Sequence, residues 1–212
     1  MTARFITIAQ VKGGSGKSTL ATNLAGALSA KLKVGVIDAD QPQATTASWA
    51  TIRNDEGLSV ETPTNARELV AAAQTMDGTC EVVIIDTPPR LHDMSRAALV
   101  LSDLALIPIS GSAPDVWAAQ DMISLIAEAK TKTPKLKARL VWNRYRPTKT
   151  SETTIAGISS QLGIEAMASK MGNRVAYSEA IGRGLTVLQW PDPKARAEVT
   201  ALVREIRREL KL

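Results

Sequence analysis

The sequence predicts an α/β fold, a doubly wound and mostly parallel sheet with helices on both faces. Runs of Val, Ile and Leu alternate with segments of helical period, the order that sets parallel strands between crossover helices. One run, Val82-Val83-Ile84-Ile85, is unbroken apolar and reads as a central strand covered on both faces. The polar residues with a chemical reading stand at the carboxyl ends of such runs or just past them, where open α/β sheets bind ligands.

In chain order, Phe5 to Ala9 is the first strand and Leu20 to Ala30 the first helix. Val34 to Ile37 is a short strand ending at Asp38. Asn65, three residues before Glu68, caps a helix running to about Met76. Val82 to Ile85 and Leu104 to Ile109 are strands, and Pro114 opens a helix from Asp115 to Lys130. Arg139 to Trp142 is a strand, Ser151 to Leu162 and Ala176 to Ile181 are helices, and Leu185 to Leu188 reads as a late short strand. Asp192 and Pro193 form an N-cap and first-position pair for a final helix ending near Leu210.

Between the first strand and the first helix lies Lys12-Gly13-Gly14-Ser15-Gly16-Lys17-Ser18-Thr19. Strand, glycine turn and helix in that order are the context of a phosphate-binding loop. The glycines let backbone N–H groups converge on a phosphate, and the helix adds its free N–H groups and the positive end of its dipole. Lys17 would neutralise the β- and γ-phosphates, and the Ser18 hydroxyl would ligate Mg²⁺. ATP with Mg²⁺ is the expected ligand and a P-loop NTPase the expected fold. The ordinary motif has a glycine five residues before Gly16; here Val11 stands there, and a second lysine, Lys12, follows it.

Asp86 ends the apolar strand and precedes Thr87-Pro88-Pro89, so its carboxylate is placed to serve Mg²⁺ as a Walker B aspartate does. Asp38 and Asp40 follow the second strand, one residue apart. Beside a triphosphate the pair Asp38 and Asp40 suits metal coordination and orientation of an attacking water. Asn143 closes the strand Arg139 to Trp142, and its amide matches the edge of adenine; a turn-forming asparagine is the competing reading. Lys12 is a further buried cation that needs an anion to meet, or else a surface lysine at the loop edge.

The 212 residues suit one domain, 1–212, with a sizeable core. A net charge of +5 permits nucleic acid or an anionic membrane as partner without choosing between them. The single cysteine, Cys80, excludes an internal disulfide and suits a reducing compartment. No signal-peptide core and no apolar run long enough to span a bilayer occurs, so the expected location is cytoplasmic with no stable membrane insertion. His92, the only histidine, cannot build a metal site and is expected to make an ordinary polar contact.

The lysine-bearing loop resembles the deviant Walker A motif of the ParA/MinD family of dimeric ATPases. Asp38-Ala39-Asp40-Gln41-Pro42-Gln43 resembles that family's switch I, with Gln41 inserted before the proline. Asp86-Thr87-Pro88-Pro89, Ile107 to Ser112 with Asp115-Val116-Trp117, and Ser178 to Gly184 look like the small ParA-type partition ATPases, so the likeness spans nearly the full length. It implies that Asp40 activates water, that Asn143 contacts adenine with Met171 to Arg174 completing the base pocket, and that Lys12 reaches a partner's nucleotide across a homodimer formed on ATP binding. It further implies a ParB-like or other adaptor that stimulates hydrolysis. The loop begins at residue 12, so any DNA contact is expected from this domain itself.

Basic residues cluster twice. Lys130 to Lys149 holds eight and no acidic residue, and Lys194 to Leu212 adds Arg204, Arg207, Arg208 and others against three glutamates. With the resemblance, these suit nonspecific binding of nucleoid DNA through Arg183, Arg204, Arg207 and Arg208; each cluster alone also reads as a solvated face. Val199, Leu202, Val203, Ile206 and Leu210 form an apolar stripe on the final helix. A MinD-like membrane anchor and a helix packed on the sheet both use such a stripe, and the lack of Phe or Trp on it favours packing. The function expected is therefore a ParA-type ATPase that positions or segregates a plasmid, a chromosome region or a protein organelle. The alternative is a MinD-like membrane-cycling regulator. A third class, a metabolic P-loop amide ligase, needs a second substrate pocket for which no motif is present.

Overall fold

Seven strands pair in one parallel sheet in a computed structural model that describes residues 2–41, 43–89 and 93–212. They are β1 (Arg4–Ile8), β2 (Val34–Asp38), β3 (Leu58–Glu61), β4 (Val82–Asp86), β5 (Leu104–Ile109), β6 (Lys137–Tyr145) and β7 (Ala166–Gly172). The order across the sheet is β3-β2-β4-β1-β5-β6-β7, with every pairing parallel. The helices are α1 (Lys17–Leu28), α2 (Thr45–Arg53), α3 (Ala66–Asp77), α4 (Asp93–Leu101), α5 (Ala113–Lys132), α6 (Ser151–Leu162), α7 (Val175–Ile181) and α8 (Pro193–Leu210).

The alternation of side chains along a strand explains the unbroken apolar runs. Val82 and Ile84 of β4 face a core shared with α1, α2, α7 and α8, while Val83 and Ile85 face α3 and α4 on the other side. α5 and α6 cover β5 and β6 on that second side, around Ile107, Ile109 and Leu140. β1 thus lies in the middle, flanked by β4 and β5, and its carboxyl end opens on the loop at residue 12.

Local signals match the helix ends. Asn65 accepts from Glu68 N at 3.0 Å while Glu68 accepts from Thr64 N at 2.8 Å. Asp192 accepts from Lys194 N and Ala195 N, both at 3.0 Å, with Pro193 opening α8. Val199, Leu202, Ile206 and Leu210 are buried against the sheet, so the apolar stripe of α8 is a packing face and not a free membrane anchor. Cys80 is buried against α3 residues.

Leu185 to Leu188 is not a strand. It leads into a 3-10 turn, Val187–Gln189, capped reciprocally by Thr186 and Gln189. Side chains take the backbone groups a ladder would need: Trp49 Nε1 donates to Leu185 O at 3.0 Å, and Val187 N donates to Asn23 Oδ1 at 3.0 Å. Four further elements, α2, β3, α4 and β7, carry too little apolar pattern to stand out in the sequence. β3 is an edge strand with three exposed residues. β7 is an edge strand rich in small residues, and α8 covers it: Glu205 accepts from Ala168 N at 2.8 Å and from Ser169 N at 3.0 Å. Pro42 and His92, which fall in the expected switch segments, lie outside the described residues.

Candidate nucleotide-binding site

The loop from Lys12 to Thr19 turns through Gly14 (φ +72°) and Gly16 (φ +94°) before α1 begins. Gly16 is the N-cap of α1, and no side chain caps it, which leaves the first N–H groups of the helix to a ligand. Gly16 is also required by packing: a Cβ there would lie 2.0 Å from Asn143 Nδ2. Asn143 is buried and donates from Nδ2 to Ser15 O at 2.8 Å, while its Oδ1 accepts from Arg144 N at 2.9 Å. The expected adenine ligand therefore braces the phosphate loop from β6, and it also lines the adjoining cavity.

Lys17, Ser18, Asp40 and Gln43 line one cavity of about 290 Å³ together with the loop glycines Gly13, Gly14 and Gly16. Lys17 is buried; desolvation pushes its ammonium below the usual lysine range, and Asp86 and Asp40 pull it back upward. Asp86, fully buried at the end of β4, accepts from Thr46 Oγ1 at 2.7 Å through one oxygen. The other, Oδ1, has no hydrogen-bond partner among the described residues. Burial pushes this carboxyl up to about 7, against the pull of Thr46 and Ser18. An orphaned carboxylate oxygen beside a loop hydroxyl is a deficit that a hard cation removes. No group of three or more His, Cys, Asp or Glu is gathered among the described residues. The donor set fits Mg²⁺, which is commonly held by one or two protein oxygens together with phosphates.

Asp38 and Asp40 part company. Asp38 is buried, and both its oxygens accept backbone N–H groups, Oδ1 from Asp40 at 3.1 Å and Oδ2 from Ala47 at 2.9 Å. It thereby shapes the turn and holds the first residues of α2, and burial still raises its carboxyl above the usual range. Asp40 is half-buried and faces the cavity; burial raises its carboxyl and Lys17 lowers it. Thr46, which sequence reasoning missed, ties α2 to Asp86. Its only sequence signal was a place shortly after the aspartates.

Lys12 does not point free into solvent. Its Nζ pairs with the buried carboxylate of Asp115 at the start of α5, which also accepts from Ser110 N at 2.8 Å and from the Ser110 hydroxyl. Burial pushes the Asp115 carboxyl up, but the Lys12 and Ser110 bonds prevail and hold it below the usual range. Beyond Asn143 a second cavity of about 760 Å³ is walled by β6, β7 and α7, including Gly172, Asn173 and Arg174. Arg174 forks onto Glu198 of α8, which also accepts from Gly172 N at 2.9 Å and from Tyr177 OH at 2.8 Å. The segment expected to complete a base pocket is thus fastened to α8.

The two basic clusters resolve differently. Lys137 and Arg139 pair with Glu209, and Lys135 with Asp103. On α8 the three glutamates turn inward to partners, Glu198 to Arg174, Glu205 to the β7 edge and Glu209 to β6. Arg204 and Arg208 are left exposed, Arg207 is half-buried, and exposed Arg183 lies over the Trp190 ring at 4.9 Å. No described helix is long and apolar enough to cross a membrane.

Comparison with known proteins agrees with this geometry. Residues 6–187 match the model of the CobQ/CobB/MinD/ParA nucleotide binding domain. A maintenance of carboxysome distribution protein A from Halothiobacillus neapolitanus is 31% identical over 192 residues, covering 87% of this chain and 86% of that protein. One of the same name from Gloeobacter kilaueensis is 32% identical over 209 residues, covering 98% and 94%. The structure of a Cyanothece McdA–ATP complex superposes with a TM-score of 0.78 at 18% identity, over 100% of this chain and 97% of that one.

Proposed function

The chain belongs to the CobQ/CobB/MinD/ParA nucleotide-binding family, and from that premise we propose that it is a ParA-type ATPase that positions a cargo. ATP·Mg²⁺ binds at the Lys12–Thr19 loop, two copies associate around it, the dimer holds nucleoid DNA without sequence preference, and hydrolysis stimulated by an adaptor releases it. The observation that carries the reading is the unpartnered oxygen of buried Asp86, whose carboxyl feels Ser18 and Lys17 of the phosphate loop, a carboxylate poised for a cation that arrives with phosphate.

The roles follow from the chemistry. Backbone N–H groups at Gly13 to Thr19 and the Lys17 ammonium hold phosphate oxygens. Ser18 and Asp86 hold Mg²⁺, whose charge when bound would stabilise negative charge on the transferring phosphoryl group. Asp38 supports this site by fixing the turn that presents Asp40, and Asp40 orients the attacking water. Lys12 leaves Asp115 to serve the partner's nucleotide. Arg183, Arg204 and Arg208 offer phosphate contacts on one chain, with Arg207 beside them. The names of the two relatives above 30% identity favour a protein organelle of the carboxysome kind as cargo. A cytoplasmic, nucleoid-associated location goes with this cycle.

Size-exclusion chromatography with light scattering, paired with DNA cosedimentation, tests the reading. With a non-hydrolysable ATP analogue and Mg²⁺ the protein should run as a dimer and bind plasmid DNA of any sequence. With ADP it should do neither. Asp40→Ala should bind ATP and stay dimeric with turnover lost. A protein that remains monomeric with the analogue bound, or an Asp40→Ala variant with ordinary turnover, would overturn the proposal.

A further inference from the structure

Arg144 stands where the two cavities meet. The phosphate cavity and the larger cavity beyond Asn143 share two lining residues, Thr19 of α1 and Arg144 of β6. A nucleotide whose phosphates lie on the loop and whose base lies in the larger cavity would run beside both residues. The backbone is shaped to put the guanidinium there. β6 and β7 pair Trp142 with Lys170 and Tyr145 with Gly172, so β6 carries one extra residue in this interval. The bulge falls at Asn143 and Arg144, and Arg144 takes the left-handed conformation at φ +54°, which a side-chain-bearing residue seldom adopts. Bulges of this kind re-aim side chains beside functional sites.

Charge singles out the same residue. Three arginines line the larger cavity. Arg146 donates to the Asn173 amide oxygen from Nη2 at 2.5 Å and Nε at 2.9 Å, with the amide turned to receive it. Arg174 is held by Glu198. Arg144 is exposed and makes no ion pair or side-chain hydrogen bond among the described residues. Of the other cations at the cradle, Lys12 is paired with Asp115, while Lys17 is buried and feels the charges of Asp86 and Asp40.

We infer that Arg144 is a nucleotide ligand of its own subunit, closing over the phosphates nearest the ribose beside Thr19. The inference rests on the ATPase reading above and deepens it. A guanidinium there contacts phosphates present in both ADP and ATP, so it contributes to holding either nucleotide and not to distinguishing them.

Calorimetric titration with Mg·ADP and with Mg·ATPγS tests this on the full chain, with Arg144→Ala, Arg144→Gln, Arg144→Lys and Lys17→Ala beside wild type. Arg144→Ala and Arg144→Gln should each weaken both nucleotides by a similar factor, about tenfold or more, with unchanged circular dichroism. Arg144→Lys should recover part of the loss, and the affinity lost should shrink as salt rises. Folded Ala and Gln variants that bind ADP within twofold of wild type, while Lys17→Ala binds none, overturn the role of Arg144 and leave the ATPase reading standing. That outcome with only ATP turnover reduced also overturns it, because the arginine would then act across the dimer. A wild-type protein that binds neither nucleotide overturns both.

Discussion

Lys12 and Asp115 form an ion pair between the start of the phosphate loop and the first turn of α5, with the carboxylate side chain 4% exposed and the lysine 39%. A cation proposed to act on a partner's nucleotide is therefore held at home by an anion of its own chain. Asp115→Asn keeps the shape and the Ser110 contacts while removing the charge. It should lower the protein concentration needed for ATP-dependent dimerisation by up to about fivefold, the scale of a partly exposed pair. Lys12→Ala in the same assay should abolish the ATP-dependent dimer. An Asp115→Asn association curve that overlays wild type would rule out the latch.

Nucleotide affinity should depend on pH through Asp86. Its carboxyl is raised from 3.8 to about 7 by burial, so the unfolded chain ionises first as pH rises. Without ligand, this group lowers stability progressively between about pH 4 and 7, and the penalty is constant above that window. Mg²⁺ needs the ionised form, so Mg·ADP affinity should fall about tenfold per unit below pH 7. Asp86→Asn should raise the stability of the ligand-free protein at pH 8 by about 1–3 kcal/mol and remove the Mg²⁺ dependence of binding. Denaturant unfolding and titration at pH 5.5 to 8 check both; a flat affinity across that range contradicts the assignment.

Gly16→Ala meets two obstacles, a left-handed backbone and the Asn143 amide at 2.0 Å from the new Cβ. The expected loss is about 1–3 kcal/mol of stability together with nucleotide binding. Asn143→Ala relieves only the overlap, so the double variant should be more stable than the sum of the single losses implies, measured by urea unfolding. Strict additivity would mean that the two residues do not meet.

Glu205→Ala removes the carboxylate that accepts from the β7 edge at Ala168 and Ser169. Because that edge is partly open to water, the stability loss should be about 1–2 kcal/mol. Protection of those two amides in hydrogen exchange should drop more than that of β1. Equal protection in the variant and wild type would show that Glu205 does not cover the edge.

Arg204→Glu with Arg208→Glu reverses charge on the exposed side of α8 while sparing its buried stripe. DNA binding by the ATP-bound form should be lost, and dimerisation retained. Single alanine replacements should each reduce the salt slope of DNA binding by about 1. An unchanged slope would remove these arginines from the DNA surface.

Much of the fold was legible because burial on both faces leaves unbroken apolar runs, as in β4, and because caps such as Asn65 and Asp192 act within four residues. The phosphate loop was legible for the same reason, since its glycines and lysines are adjacent in the chain. β7 was not: its edge is completed by Glu205, 37 residues beyond Ala168. Nor was the bracing of Ser15 by Asn143, which are 128 residues apart.

The sequence alone determined that this chain folds as a parallel α/β sheet with a phosphate loop after its first strand, because those are consequences of periodicity and of adjacent residues. Only the tertiary structure decided which charges are occupied. Lys12 is paired, the glutamates of α8 are turned inward, Asp38 is taken up by backbone, and Arg144 and one oxygen of Asp86 are left open. A charge's availability depends on what lies within a few ångströms in space, and those neighbours come from segments far apart along the chain.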